Sequence, residues 1–283
     1  MPLSIRQSAP AHEAGRGTVV FIHGFPFNGG MWAPQLRALP DGWRGLAPDL
    51  RGFGRTGVRS VPGPVPTGRR VGGRIARPNE PVLTMACLAA DVAALIEQEV
   101  DGPAVVCGLS MGGYVAFELW RRHPDRVRAL VLADTRAEAD DDEGRENRLR
   151  AAHAARESGT RPLAAAMIPT LLAETTRKGM PEVVEQVRTM IVETVPGTII
   201  AALAGMAARH DSTGELGGIT VPTLVIAGEH DALTNPDGAR AMADAIPDAT
   251  FVEIPTAGHI SNLENPAAFN GALAEFLDRL EPE

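Results

Sequence analysis

The sequence predicts an α/β protein: a mostly parallel sheet with helices on both faces and a small helical cap inserted. Three observations predict it. Short β-branched runs alternate with longer stretches of helical periodicity. A glycine-rich turn joins an apolar run to a helical pattern in "VVCGLSMGGYVAFEL", residues 105–119. Residues 136–211 carry helical patterns without a convincing strand.

Taken along the chain, "TVVFIH" (18–23) reads as a buried strand and "RGLAPDL" (44–50) as a weaker one. "AVVCG" (104–108), "VRALVLAD" (127–134), "PTLVIAG" (222–228) and "TFVEIP" (250–255) complete the strand set. Only about one strand's worth of sequence precedes residue 18. Between the strands, "LTMACLAADVAALIEQE" (83–99) has helical spacing with Thr84 at the N-cap position. "GGYVAFELWRRHP" (112–124) ends a helix in arginines before Pro124. "NPDGARAMADAI" and "NPAAFNGALAEFLDRL" each place a proline directly after an asparagine cap, a helix start. The expected organisation is a first core part (1–135), a helical cap (136–211) and a second core part (212–283). The Pro/Gly-rich stretch 58–81, with five arginines and no periodicity, is expected to be a long loop.

Composition narrows the function. A chain of 283 residues with 44% hydrophobic and 22% charged residues suits one large domain with an insertion. A net charge of −8 lacks the basic excess of nucleic-acid binders, and no run approaches a membrane span. Cys87 and Cys107 lack metal-ligand spacing and read as free thiols, so a cytoplasmic location is expected.

The glycine cluster raises the chemical question. Ser110 lies between a strand and a helix, in G-x-S-x-G, flanked by Gly108, Gly112 and Gly113. At such an elbow the hydroxyl is lifted above the sheet, and side chains two residues away on either side would collide. A phosphate-binding turn is the bland alternative, but the P-loop lysine and the G-x-G-x-x-G spacing are missing. A nucleophilic serine needs a base, and the base needs an orienting acid. Of seven histidines, His259 sits in a short loop between the last strand and the final helix, the position suited to a base. Asp231, just past a strand end, is the first-choice acid, and Asp134 is the reserve. "HGFPFNGGMW" would present the Phe25 N–H beside that of Met111, two donors for an oxyanion, with His23 organising the loop.

Five segments, "HGFPFNGGMW", "PDLRGFGRTG", "GLSMGGYVAFEL", "AGEHDALTNP" and "AGHISNLENP", together resemble the α/β-hydrolase superfamily. The resemblance is to its compact-cap esterase, enol-lactonase and cofactor-free haloperoxidase-like (perhydrolase) branch. It implies a triad of Ser110, Asp231 and His259 acting on a carboxylic ester or lactone, and the apolar face of the inserted helices, "AAAMIPTLLAET", favours a small, largely apolar and uncharged one. It implies no metal or organic cofactor, and the charge and hydropathy described above lead to the expectation of no nucleic-acid or membrane partner. Phe27, Trp32, Met167, Ile168, Leu171 and Leu172 are candidate pocket walls, although apolar residues at helical spacing are more often plain core. Perhydrolysis and carbon–carbon bond hydrolysis use the same triad and stay open, as does a receptor-like binder on the same scaffold. Neither the natural substrate nor the oligomeric state is legible.

Overall fold

The computed structural model describes residues 2–8, 15–57 and 81–281. Seven strands form one sheet: β1 (Ser4–Gln7), β2 (Gly17–Ile22), β3 (Trp43–Asp49), β4 (Ala104–Leu109), β5 (Val127–Ala133), β6 (Thr223–Gly228) and β7 (Ala249–Ile254). Their order is β1-β3-β2-β4-β5-β6-β7, and only the β1–β3 pair is antiparallel. From β2 the chain crosses to β3 on one side, inside the edge strand β1, then returns to β4 and winds to the opposite edge. That reversal opens a crevice at the carboxyl ends of the central strands, where ligands bind in such sheets.

The six strands read from the sequence all form. β1 is the exception, because the short polar run "SIRQ" offers no apolar alternation and is held by pairing Ser4 with Asp49 through Gln7 with Leu46. A single described strand thus precedes β2, in keeping with the short leading segment. The arginine-rich loop expected at 58–81 falls, but for Pro81, outside the described residues.

The helices are α1 (Ala33–Ala38), α2 (Met85–Glu99), α3 (Met111–Arg122), α4 (Asp142–Ser158), α5 (Thr160–Leu171), α6 (Glu174–Gly179), α7 (Pro181–Glu193), α8 (Pro196–Ala207), α9 (Pro236–Asp244), α10 (Ser261–Glu264) and α11 (Pro266–Arg279). Sequence-readable caps start three of them. Thr84 accepts from Cys87 N–H, Asn235 from Gly238 N–H and Asn265 from Ala268 N–H.

Alternation along the strands divides the core into two layers. Val20, Ile22, Val106, Leu130 and Leu132 pack with α2, α3 and α9 on one face. Val19, Phe21, Val105, Cys107 and Val131 pack with α1 and α11 on the other. Five helices, α4–α8, lie between β5 and β6, and residues 136–211 contain no strand. α4 and α8 join the first apolar layer, α5 and α7 the second.

Hydrogen bonds stitch these helices to the core. Leu83 N–H donates to the Ala201 carbonyl (3.0 Å). Thr198 Oγ1 donates to the Gly52 carbonyl (2.9 Å), and Thr194 Oγ1 to the Pro26 carbonyl (2.8 Å). The α8 contact is close enough to require glycine, since a Cβ on Gly205 would lie 1.7 Å from the Leu83 carbonyl oxygen. Gly205→Ala should therefore lower unfolding free energy by about 1–3 kcal/mol or more, as overpacking does. Thr84→Ala, which removes only a cap, should cost ~1 kcal/mol. Urea denaturation of both variants checks the ranking; an unchanged midpoint for Gly205→Ala would show that α8 can move away freely.

Candidate active site

Ser110 follows β4 directly and precedes the first residue of α3, with φ 53 and ψ −114. This is backbone that L-residues rarely adopt, and it persists only where the surroundings enforce it. The surroundings here are other backbone atoms. A Cβ at Gly108 would meet the Gly112 carbonyl oxygen at 2.3 Å, and one at Gly112 would meet the Ile22 carbonyl oxygen at 2.2 Å. Gly113 lies as close to the side chain of Thr135, whose hydroxyl donates to the Ser110 carbonyl (2.8 Å). All three glycines are steric necessities.

The three residues expected to form a triad come together. His259 Nε2 is 2.9 Å from Ser110 Oγ, and His259 Nδ1 is 2.8 Å from Asp231 Oδ2. Asp231 is further held by the N–H groups of Leu233 (2.8 Å) and Thr234 (3.0 Å) on Oδ1 and by the Thr234 hydroxyl (2.6 Å) on Oδ2. Burial disfavours charge on Asp231, but the imidazole and these donors outweigh it and hold the carboxyl below its ordinary range. Burial likewise works against a charged His259, yet Asp231 prevails and raises its pKa above the ordinary imidazole value.

Asp134, the reserve acid, takes another place. Its Oδ1 accepts from Gly228 N–H (2.9 Å), and its Oδ2 from the Ser261 hydroxyl (2.5 Å) and N–H (3.3 Å). It ties the end of β6, which leads to Asp231, to the turn that carries His259. Burial, and then the nearby Asp231 charge, push its carboxyl up to about 8. The two aspartates are driven in opposite directions, so one stays charged beside the imidazole while the other favours its proton.

On the β2 side, a Cβ on Gly24 would lie 3.5 Å from Ser110 Cβ, which puts the Gly24–Phe25 turn against the serine. Phe25 shares a cavity with Ser110 and His259. Met111 opens α3, where helix N–H groups have no intrahelical acceptor. His23 Nδ1 donates to the Gly24 carbonyl (2.9 Å) and its Nε2 accepts from Leu50 N–H (3.0 Å). Burial lowers its pKa to about 4, which keeps this bracket neutral.

The cavity has a volume of about 340 Å³, near the small end for ligand sites. Of the six expected walls, Met167 and Leu171 line it, beside Tyr114, Leu163, Leu203 and Met206. Phe27, Trp32, Ile168 and Leu172 are not among the described residues that line it; they pack into the second apolar layer. Trp32, for instance, is buried between Phe21 and Phe269, with ring centroids at 5.1 and 6.0 Å. The lining also contains charge that the sequence reading did not anticipate, from Arg136, Asp140 and Arg148. Among the described residues no group of three or more His, Cys, Asp and Glu is placed to hold a metal ion. No single helix among them is long and apolar enough to cross a membrane.

Sequence reasoning missed the supports. Glu264 accepts from the N–H groups of Gly258 (3.0 Å) and Ile260 (3.2 Å) on one oxygen and from Ala173 N–H (2.8 Å) on the other. His259 N–H donates to the Leu171 carbonyl (3.0 Å). The spacing of Glu264 after His259, within one short turn, was the available signal; Thr234 and Ser261 gave none beyond proximity.

The raised pKa of Asp134 carries a stability consequence. Its contribution is complete below the unfolded value of about 3.8 and is lost as pH rises through about 8. An asparagine at 134 can still accept from Gly228 N–H and can donate to Ser261 Oγ without titrating. The urea midpoint of Asp134→Asn should therefore fall less between pH 6 and pH 9 than that of the wild type. Equal falls would place the titration at another group.

The overall fold recurs among known proteins. The chain is 28% identical over 269 residues to 3-oxoadipate enol-lactonase 2 of Acinetobacter baylyi, covering 94% of this chain and 91% of that one. A solved thermophilic esterase from Thermogutta terrifontis superposes with a TM-score of 0.84 at 39% identity, covering 98% of this chain and 93% of its own. The enol-lactonase from Burkholderia xenovorans LB400 gives 0.84 at 30% identity, with 98% and 96% covered. The profile described as the alpha/beta hydrolase fold matches residues 17–266, nearly the whole of the sheet and every motif quoted above. The chain belongs to the α/β-hydrolase family.

Proposed function

We propose that the protein is a serine hydrolase that cleaves carboxylic esters or lactones through an acyl-enzyme on Ser110. The observation that carries this reading is the hydrogen-bonded relay from Ser110 Oγ through both nitrogens of His259 to Asp231, at one wall of the cavity. The esterase and enol-lactonases it resembles support ester and lactone bonds as the target.

Ser110 Oγ attacks the carbonyl carbon while His259 Nε2 takes its proton. The Asp231 carboxylate accepts from Nδ1–H, fixes that tautomer and stabilises the imidazolium. Negative charge on the former carbonyl oxygen is met by the N–H groups of Phe25 and Met111. Collapse of the tetrahedral species expels the alcohol oxygen, which takes the proton from His259. In a lactone that oxygen stays attached to the acyl group. A water molecule, deprotonated by His259, then attacks the acyl carbon and frees both the acid and Ser110. Serine, imidazole, carboxylate and backbone N–H groups supply every step, so no cofactor enters this reading.

Ser110→Ala should abolish labelling by a fluorophosphonate and lower ester turnover by about 10⁴-fold or more, with the fold retained. Asp231→Asn should cost about 10³- to 10⁴-fold in kcat, far more than Asp134→Asn. Near-normal hydrolysis in Ser110→Ala would exclude the serine as nucleophile, and the reverse ranking of the aspartates would move the acid to β5.

The general base works only unprotonated, so kcat/KM should rise with pH as His259 loses its proton. Because Asp231 raises the His259 pKa, the midpoint should lie above about 6.5, the ordinary imidazole value. Asp231→Asn should move the midpoint downward. A profile flat from pH 5 to 9, with chemistry rate-limiting, would argue against a histidine base.

A further inference from the structure

We propose that the substrates of this site carry a free carboxylate, anchored by the guanidinium of Arg136. The inference deepens the serine-hydrolase reading and rests on it for the reaction, though not for the binding.

Three guanidiniums converge on one buried carboxylate. Asp140 Oδ1 accepts from Arg136 Nη2 (3.1 Å), Arg148 Nη2 (3.1 Å) and Arg209 Nη1 (2.6 Å), while its Oδ2 accepts from Arg148 Nε. Asp140 is shared among the three, so Arg136 has no carboxylate to itself there.

The three arginines are not equivalent. Arg209 is 3% exposed, and its other donors go to the Glu138 and Met206 carbonyls, with its plane over the Tyr114 ring. Arg148 grips Asp140 with two nitrogens and directs its third to Met206 Sδ. Both serve the protein. Arg136 gives Asp140 a single nitrogen, and its Nε is buried with no hydrogen-bond partner. A buried donor left without an acceptor is costly, and such orphans in native structures call for an explanation. The Nε itself has no accessible surface, but 40% of the Arg136 side chain is exposed through its other atoms, and there a ligand can reach it.

Its place in the fold makes that ligand the substrate. Arg136 lines the same cavity as Ser110 and His259. It follows Thr135, whose hydroxyl holds the Ser110 carbonyl, so its backbone is fixed to the elbow itself. A carboxylate in the cavity would accept from the exposed part of the Arg136 guanidinium in a charge-assisted hydrogen bond. The remaining walls, Met167, Leu171 and Leu203, suit a short apolar link between that carboxylate and the scissile carbonyl.

The test compares monomethyl esters of four- to six-carbon dicarboxylic acids with methyl esters of the matching monocarboxylic acids, by acid release at constant pH. In the wild type the charged member of at least one pair should be favoured in kcat/KM by about tenfold or more. In Arg136→Gln that ratio should fall about ten- to a hundredfold, through KM for the charged ester. Arg136→Lys should recover part of it. Fluorophosphonate titration gives the fraction of competent serine in each variant. A wild-type ratio at or below one in every pair, or a ratio that Arg136→Gln leaves unmoved, overturns the anchor. If neither ester turns over and no serine is labelled, the hydrolase reading fails by itself. Calorimetry with glutarate then decides the anchor, upheld by binding that Arg136→Gln abolishes and overturned by no binding to the wild type. Should Arg136→Gln not fold, the wild-type ratio and its decline with added salt decide in the same way.

Discussion

The backbone of β4 and α3 meets at a point where there is no space for side chains, and the site depends on that contact. The Gly112 carbonyl faces position 108, and the Ile22 carbonyl faces position 112, each nearer than a Cβ could tolerate. Because both neighbours are main chain, neither can yield by changing a rotamer. The turn is compressed between two strands and a helix, and Ser110 is the residue left in the left-handed region, with φ 53. Its hydroxyl is aimed by backbone geometry alone, before any hydrogen bond is counted. The other functional groups are then brought to it, each from the carboxyl end of a different strand.

What could be read from the chain follows from what kind of physical signal each feature leaves. β2, β4, β5 and β6 are buried along nearly their whole length, so they announce themselves as apolar, β-branched runs, whereas β3 lacks β-branched residues and β7, at the sheet edge, is only partly buried. β1 is a four-residue edge strand made by pairing rather than by burial, and pairing leaves no mark in "SIRQ". Ser110, Asp231 and His259 were legible because glycines, strand ends and loop position surround them in order. The pocket walls were only partly so. Met167 and Ile168 are adjacent in one helix and equally apolar, yet only the first lines the cavity. Which side of a helix meets a cavity is a property of packing, and periodicity shows only that a face is buried. Arg136 was invisible for the opposite reason, since an arginine after a strand end reads as solvated until its neighbours are known.

Two buried aspartates within one site pose an electrostatic problem that the fold resolves by giving them different company. Asp231 accepts from an imidazole, a hydroxyl and two N–H groups, and so remains an anion despite burial. Asp134 has one hydroxyl and two N–H groups but no cationic partner in contact, and it also experiences the charge of Asp231. Like charges so placed separate in proton affinity. The imidazole therefore has one charged neighbour on its Nδ1 side, while the second carboxyl acts as a bracket between two loops.

The bond from the His259 N–H to the Leu171 carbonyl, with the Glu264 clip on Ala173 beside it, has a mechanical meaning. These contacts join the loop that carries the imidazole to the last turn of α5, so the two form a single jointed part. The roof of the cavity and the imidazole cannot be displaced independently without breaking buried hydrogen bonds. Swinging α5 aside would unseat the imidazole at the same stroke, so a site open in that manner would be out of register with Ser110. Access that preserves the relay has to run through the mouth the cavity already has, rather than through the helix lifting as a hinged cover.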